Sequence, residues 1–161
     1  MNFGEVLNEN LVNLELQAKS KVAAIRELIE LLYQEGKVND RDLFQQNIYE
    51  REAEGRTGFG NHVVIRYVKS DAVTVTSLAI GRTAHDLVWD SLDDAPIRIV
   101  ILFVVSKADK TELQWRLSGR VTSSLAKERV IKQLLVTKDK KDAISLLVGD
   151  SIKKRGDRSK L

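Results

Sequence analysis

The chain has 161 residues, 43% apolar and 30% charged, the proportions of a soluble globular protein with one core. It contains no cysteine, which excludes disulfides and thiolate chemistry, and with only His62 and His85 available neither a metal nor a cofactor is expected. The net charge of +3 belongs to residues 150–161, where Lys153, Lys154, Arg155, Arg158 and Lys160 oppose Asp150 and Asp157; residues 1–149 carry 21 basic and 21 acidic side chains, so no nucleic-acid-binding face is expected.

The alternation Val12-Leu14-Leu16 predicts a short strand. Ser20 is an N-cap candidate for a helix running to Glu35, with Ile25, Leu28, Ile29 and Leu32 on one face and Gly36 as its stop. Asn39 is a second cap candidate, for a helix from Asp40 to about Glu54 that turns Leu43, Phe44 and Ile48 inward. Strands are expected at Val63–Tyr67, at Ala72–Ile80 (closed by Gly81) and at Ile97–Ser106. The last is nearly continuous Ile, Val, Leu and Phe behind Pro96, as in a central strand buried on both faces. Leu87-Val88-Trp89 and Asp90-Ser91-Leu92-Asp93-Asp94 read as a surface loop or hairpin. Three helical runs follow, marked by Leu113, Leu117, Val121 and Leu125, by Val130, Ile131, Leu134 and Leu135, and by Ala143, Ile144, Leu147 and Val148 before Gly149. The order implies an α/β sandwich, a mixed β-sheet between helices, as one domain over 1–149 with a flexible basic tail over 150–161. Met1–Glu5 lacks the features of a signal peptide, and the apolar run Ile99–Val105 is too short to span a membrane, so a cytoplasmic protein is expected.

The segment with chemical promise is 51–67, where an acidic helix end meets Gly55, Gly58 and Gly60 before the strand at Val63. A glycine turn of this kind can present backbone N–H groups to an anion, or can serve only as a tight structural turn. It is neither a Walker loop nor a dinucleotide fingerprint, because no Gly-Lys-Ser/Thr follows and the glycines open a strand. Arg51, Arg56 and Arg66 bracket it. They are either part of an anion pocket with Thr57, Gly58 and Gly60 or solvated partners of Glu52 and Glu54.

Arg51-Glu52, Thr57-Gly58-Phe59-Gly60-Asn61 and Val63-Val64-Ile65 resemble, in register, the signature of the type-2 IIA domains of the bacterial phosphoenolpyruvate-dependent sugar phosphotransferase system, the mannitol/fructose and nitrogen-regulatory class. The resemblance covers roughly residues 3–148. It implies a mixed sheet, usually five-stranded, between helices, and a histidine that carries a phosphoryl group. In that alignment His62 stands at a small residue, usually glycine, Arg66 at the proline and Tyr67 at the phosphoacceptor histidine. Glu112, in Glu112-Leu113-Gln114-Trp115-Arg116, stands at a second histidine. Arg51, the arginine near the phosphate, remains.

A relay needs a nucleophile that accepts a phosphoryl group and surrenders it, which neutral imidazole does at pH 7. A phenol with a pKa of about 10 does not without an activating base, and Glu112 would repel the incoming group. The resemblance therefore implies a regulatory protein-binding module without catalytic activity, meeting an HPr-like carrier or a regulated target through Tyr67, Glu112 and Trp115. Two alternatives are an active carrier with His62 as a displaced acceptor and an anion-sensing domain. For His62 the competing reading is a partly exposed loop residue, and His85 reads as a locally bonded loop histidine. Trp89 and Trp115 are core anchors or interface residues.

Overall fold

A computed structural model describes residues 6–52, 60–89, 95–109 and 111–148, which divide between two compact units, 1–109 and 110–161. Phe3, Glu54, Gly55, Arg56, Thr57, Gly58, Asp90–Asp94 and the basic tail, and the side chain of Leu113, lie outside the described residues.

In the first unit a 3-10 turn, Glu9–Leu11, leads into β1 (Val12–Leu16), followed by helices α1 (Lys21–Gln34) and α2 (Arg41–Glu52) and strands β2 (Val63–Ser70), β3 (Ser77–Leu87) and β4 (Ile97–Ser106). The strand order is β1-β3-β4-β2, with β1–β3 and β2–β4 parallel and β3–β4 antiparallel, so the sheet is mixed as expected. Four strands form among the described residues, where the resemblance implies five.

Each element follows from its own residues. Ser20 Oγ accepts the Ala23 N–H at 3.2 Å and caps α1, and Gly36, at φ 72°, supplies the left-handed residue that ends it. The cap of α2 is Asp40 rather than Asn39: the Asp40 carboxylate accepts the Leu43 N–H at 3.0 Å, while the Asn39 N–H is spent on Ala72 O. Ala24, Ile25, Leu28, Ile29 and Leu32 of α1 and Phe44 and Ile48 of α2 cluster with Val64, Val68, Val100, Leu102 and Val104 in one core. Each such side chain contributes about 1.5–3 kcal/mol by leaving water. The intervening residues of β4, Ile99, Ile101, Phe103 and Val105, are also buried, as its continuous apolar run predicts.

The expected strand at Ala72–Ile80 is displaced by five residues. Ala72 and Val73 are buried in a short pairing with the α1–α2 connection, in which Val38 bridges Val73 and Thr74 N–H reaches Lys37 O at 2.9 Å. The strand proper begins at Ser77, and Gly81 lies inside it. A Cβ there would sit 2.6 Å from Leu16 Cδ1 and 3.0 Å from Leu28 Cδ2. Gly81→Ala is therefore expected to lower stability by about 1–3 kcal/mol through overpacking, read as a lower urea midpoint at unchanged m-value. The surface loop or hairpin expected from Leu87-Val88-Trp89 agrees with the antiparallel pairing of β3 and β4, which sets Leu87 opposite Ile97, but its surface placement is corrected. Leu87 ends β3 fully buried, Trp89 is 6% exposed, and only Val88 faces solvent.

The second unit is helical, with α3 (Thr111–Leu125), α4 (Glu128–Val136) and α5 (Lys140–Val148). Leu117, Val121 and Leu125 pack with Val130, Ile131 and Leu134 and with Ala143, Leu147 and Val148 as the buried set of this unit. The opposite side of α3, at the spacing Glu112, Trp115, Arg116, Gly119, is exposed.

Candidate functional site

Helix α2 and strand β2 run past each other and enclose a cleft of about 370 Å³, lined by Asn47, Glu50, Arg51, Tyr67, Val68 and Lys69. Arg51 and Tyr67, which the resemblance implies share a site, come to the helix side and the strand side of this cleft. Asn47, Glu50 and Lys69 carry no signal in the sequence, since each looks like any exposed polar residue until helix and strand are paired.

Tyr67 is half-buried and stacks on Phe103, its register partner on β4, at 5.3 Å between ring centroids and 25° between planes. Burial pushes its phenol above the ordinary tyrosine range, which leaves it un-ionised at neutral pH. Arg51 sits in the last turn of α2, where a cation also complements the helix dipole.

Arg66 has a different fate from that of a pocket arginine. It shares a strand face with the core residues Val64 and Val68 and is 1% exposed. Its Nε and Nη2 donate to the two oxygens of Glu52, the latter at 3.1 Å, and Nη1 donates to Ile65 O at 3.1 Å. Lys21, at the start of α1, reaches the same carboxylate at 2.7 Å. Trp89 lies beneath both cations, 5.1 Å from Lys21 Nζ and 5.7 Å from the Arg66 guanidinium carbon. Burial disfavours the ionised form of Glu52, but hydrogen bonds and positive charge from Arg66 and Lys21 outweigh it and hold the carboxyl below its usual range.

At the other end of β2, Gly60, Asn61 and His62 all have positive φ, at 86°, 55° and 73°. His62 holds this left-handed conformation through two contacts. Its Nδ1 donates to Pro96 O at 2.8 Å, and its carbonyl accepts the N–H groups of Arg98 and Ile99, both at 3.0 Å. A side chain in this region costs about 1–2 kcal/mol relative to glycine. His62→Ala is expected to lose about 1 kcal/mol with the ring hydrogen bond, whereas His62→Gly recovers at least that much by relieving the backbone. Chemical denaturation of the two variants isolates the strain as their difference.

The remaining candidates are spread out. Thr57 and Gly58 lie outside the described residues. His85 is exposed on β3 and not in a loop. Glu112 is exposed in the first turn of α3, and Trp115 is 65% exposed one turn on. No group of His, Asp or Glu suited to a metal is found among the described residues, and no helix there is long and apolar enough to cross a membrane.

Known proteins with this fold define a class. The solved structure of the nitrogen regulatory protein IIA-Ntr from Neisseria meningitidis aligns with a TM-score of 0.81 at 20% identity, over 90% of this chain and 98% of that one. The IIA mannitol chain of an Escherichia coli complex with phosphorylated enzyme IIB mannitol aligns at 0.71 and 23% identity, over 89% and 97%. Both likenesses establish the fold. Among curated proteins, the fructose-specific EIIA component of Haloferax volcanii is 32% identical over 85% of this chain and 88% of its own length. The fructose-specific EIIABC component of Bacillus subtilis is 30% identical over 89% of this chain, which spans only 22% of that longer protein. The chain belongs to the EIIA 2 family of the phosphoenolpyruvate-dependent sugar phosphotransferase system, whose model matches residues 5–149.

Proposed function

We propose that this IIA-type chain is a regulatory protein-binding module of the cytoplasm that no longer carries a phosphoryl group. The observation that carries the reading is the residue at position 67, a tyrosine in the register where Arg51-Glu52, Thr57-Gly58-Phe59-Gly60-Asn61 and Val63-Val64-Ile65 lead to the phosphoacceptor histidine. A half-buried, un-ionised phenol is a poor nucleophile, and its phosphate ester is a poor donor. Glu112, at the second histidine's place in the same register, brings negative charge where the relay needs none. Around these losses the frame persists: Arg51 still lines a cleft with Tyr67, and exposed Trp115 offers the aromatic anchor that protein interfaces favour. The partner is an HPr-like carrier or a target protein that IIA domains of this class regulate.

The test is incubation of the chain with phosphoenolpyruvate, enzyme I and HPr, followed by intact mass. No acid-labile gain of one phosphoryl group is expected, while HPr itself becomes phosphorylated. A stoichiometric gain would overturn the reading. If that gain vanished in His62→Ala, the displaced-acceptor alternative would hold. One observation speaks for that alternative: because Pro96 O only accepts, Nδ1 of His62 carries the proton and a neutral ring keeps its lone pair on Nε2. Against it stands distance, since five residues of extended chain, roughly 16 Å, separate His62 from the Arg51–Tyr67 cleft.

A further inference from the structure

Two polar rungs join α2 to β2. At one end of the cleft the Ser70 hydroxyl donates to Asn47 Oδ1 at 2.5 Å; at the other, Arg66 grips Glu52. The helix residues that line the cleft, Asn47, Glu50 and Arg51, and the strand residues, Tyr67, Val68 and Lys69, lie at or between these rungs. Glu52 is the last residue of α2, so its ion pair joins the end of the helix to the strand.

We propose that Arg66 is a positioning residue, whose ion pair with Glu52 pins the C-terminal end of α2 to β2 and so holds Arg51 and Tyr67 as opposite walls of the cleft. The sequence neighbours of the paired residues are the two groups being placed: Arg51 precedes Glu52 on the helix, and Tyr67 follows Arg66 on the strand. Because alternate strand residues face opposite sides, Arg66 turns toward the α1/α2 core while Tyr67 turns to Phe103. One residue therefore anchors the strand and frees the next to form the wall. The guanidinium suits this task because it meets both carboxylate oxygens in a fixed plane, and the Trp89 face beneath it restricts its movement. Proline, the family's residue at this position by the resemblance above, sets the strand's path through its ring; here a buried ion pair does so by reaching across to the helix.

The inference takes its cleft from the proposed function, but its test reads geometry alone, so either can fail without the other. In the full chain, which has no native thiol, Lys69→Cys carries a nitroxide label, and paramagnetic broadening of the backbone amides of Asn47 and Arg51 reports how close the walls stand. Arg66→Met is expected to relieve the broadening at Arg51 severalfold and that at Asn47 much less, because the Ser70 rung remains. Arg66→Lys should restore part of it. If Arg66→Met does not fold, Glu52→Gln, which keeps the side chain's shape, decides on the same readout. A folded variant that melts earlier yet keeps the Arg51 broadening would reduce the pair to a stabilising contact and overturn the proposal. Equal relief at Asn47 and Arg51 would overturn it too, as general loosening.

Discussion

Glu52→Ala is expected to destabilise the protein by about 3–5 kcal/mol, the cost of leaving a buried cation without its counter-charge. Arg66 is 1% exposed and cannot regain water without unpacking Val64 and Val68 beside it. Lys21 would lose its partner as well, but at 30% exposure it can turn to solvent. The same carboxylate gives the stability a pH dependence whose sign is fixed. Since the folded-state pKa of Glu52 is depressed, the unfolded chain binds the proton first, near the ordinary glutamate value of about 4.3. The contribution is thus complete above that value and is lost as pH falls through the lower, folded one. Urea titrations taken downward from pH 7 should show wild type losing stability once the pH falls below the ordinary glutamate value, while Glu52→Gln starts lower and changes less, so that the two curves approach each other in acid.

Tyr67→His alone is expected to remain a poor phosphoryl acceptor from HPr. Restoring three of the four departures from the signature, as Arg66→Pro, Tyr67→His and Glu112→His with His62 left in place, should speed acceptance on the order of 100-fold over the single variant, because positioning and charge neutralisation supply most of the catalysis in phosphoryl transfer. The structure adds a cost: Arg66→Pro leaves Glu52 with Lys21 only, and the triple variant should melt below wild type. Time courses of acid-labile phosphate with phosphorylated HPr measure the first effect, and thermal unfolding measures the second. Efficient phosphorylation of Tyr67→His would show that only the nucleophile had been lost. A folded but inert triple variant would mean that the docking surface had gone too.

How far the fold could be read from sequence depended on whether the governing interaction was local. The cap at Ser20, the stop at Gly36 and the central strand Ile97–Ser106 are written in neighbouring residues and were legible. The start of β3 was not, because Ala72 and Val73 satisfy their burial against the distant Val38 and so mimic a strand. At the site, the glycine pattern points to 51–67 and the fold puts Arg51 and Tyr67 together, while Arg66, which the sequence leaves as either a pocket arginine or a solvated partner of Glu52 and Glu54, is paired with Glu52 but buried. One signal was available: with period 2, residue 66 falls between Val64 and Val68 on the inward face, so an arginine there needs a buried acid. That Glu52 rather than Glu54 is buried with it depends on how α2 docks, and no spacing encodes that.

The two tryptophans make the chain its own optical gauge. Trp89 lies in the first unit, buried under two cations, and Trp115 in the second, largely in water. Their emission should differ in wavelength, so Trp89→Phe and Trp115→Phe each leave a lamp in one unit alone. Coincident melting of the two signals would mark residues 1–109 and 110–148 as one cooperative body; separated melts would show that the helical unit can come undone while the sheet stays intact.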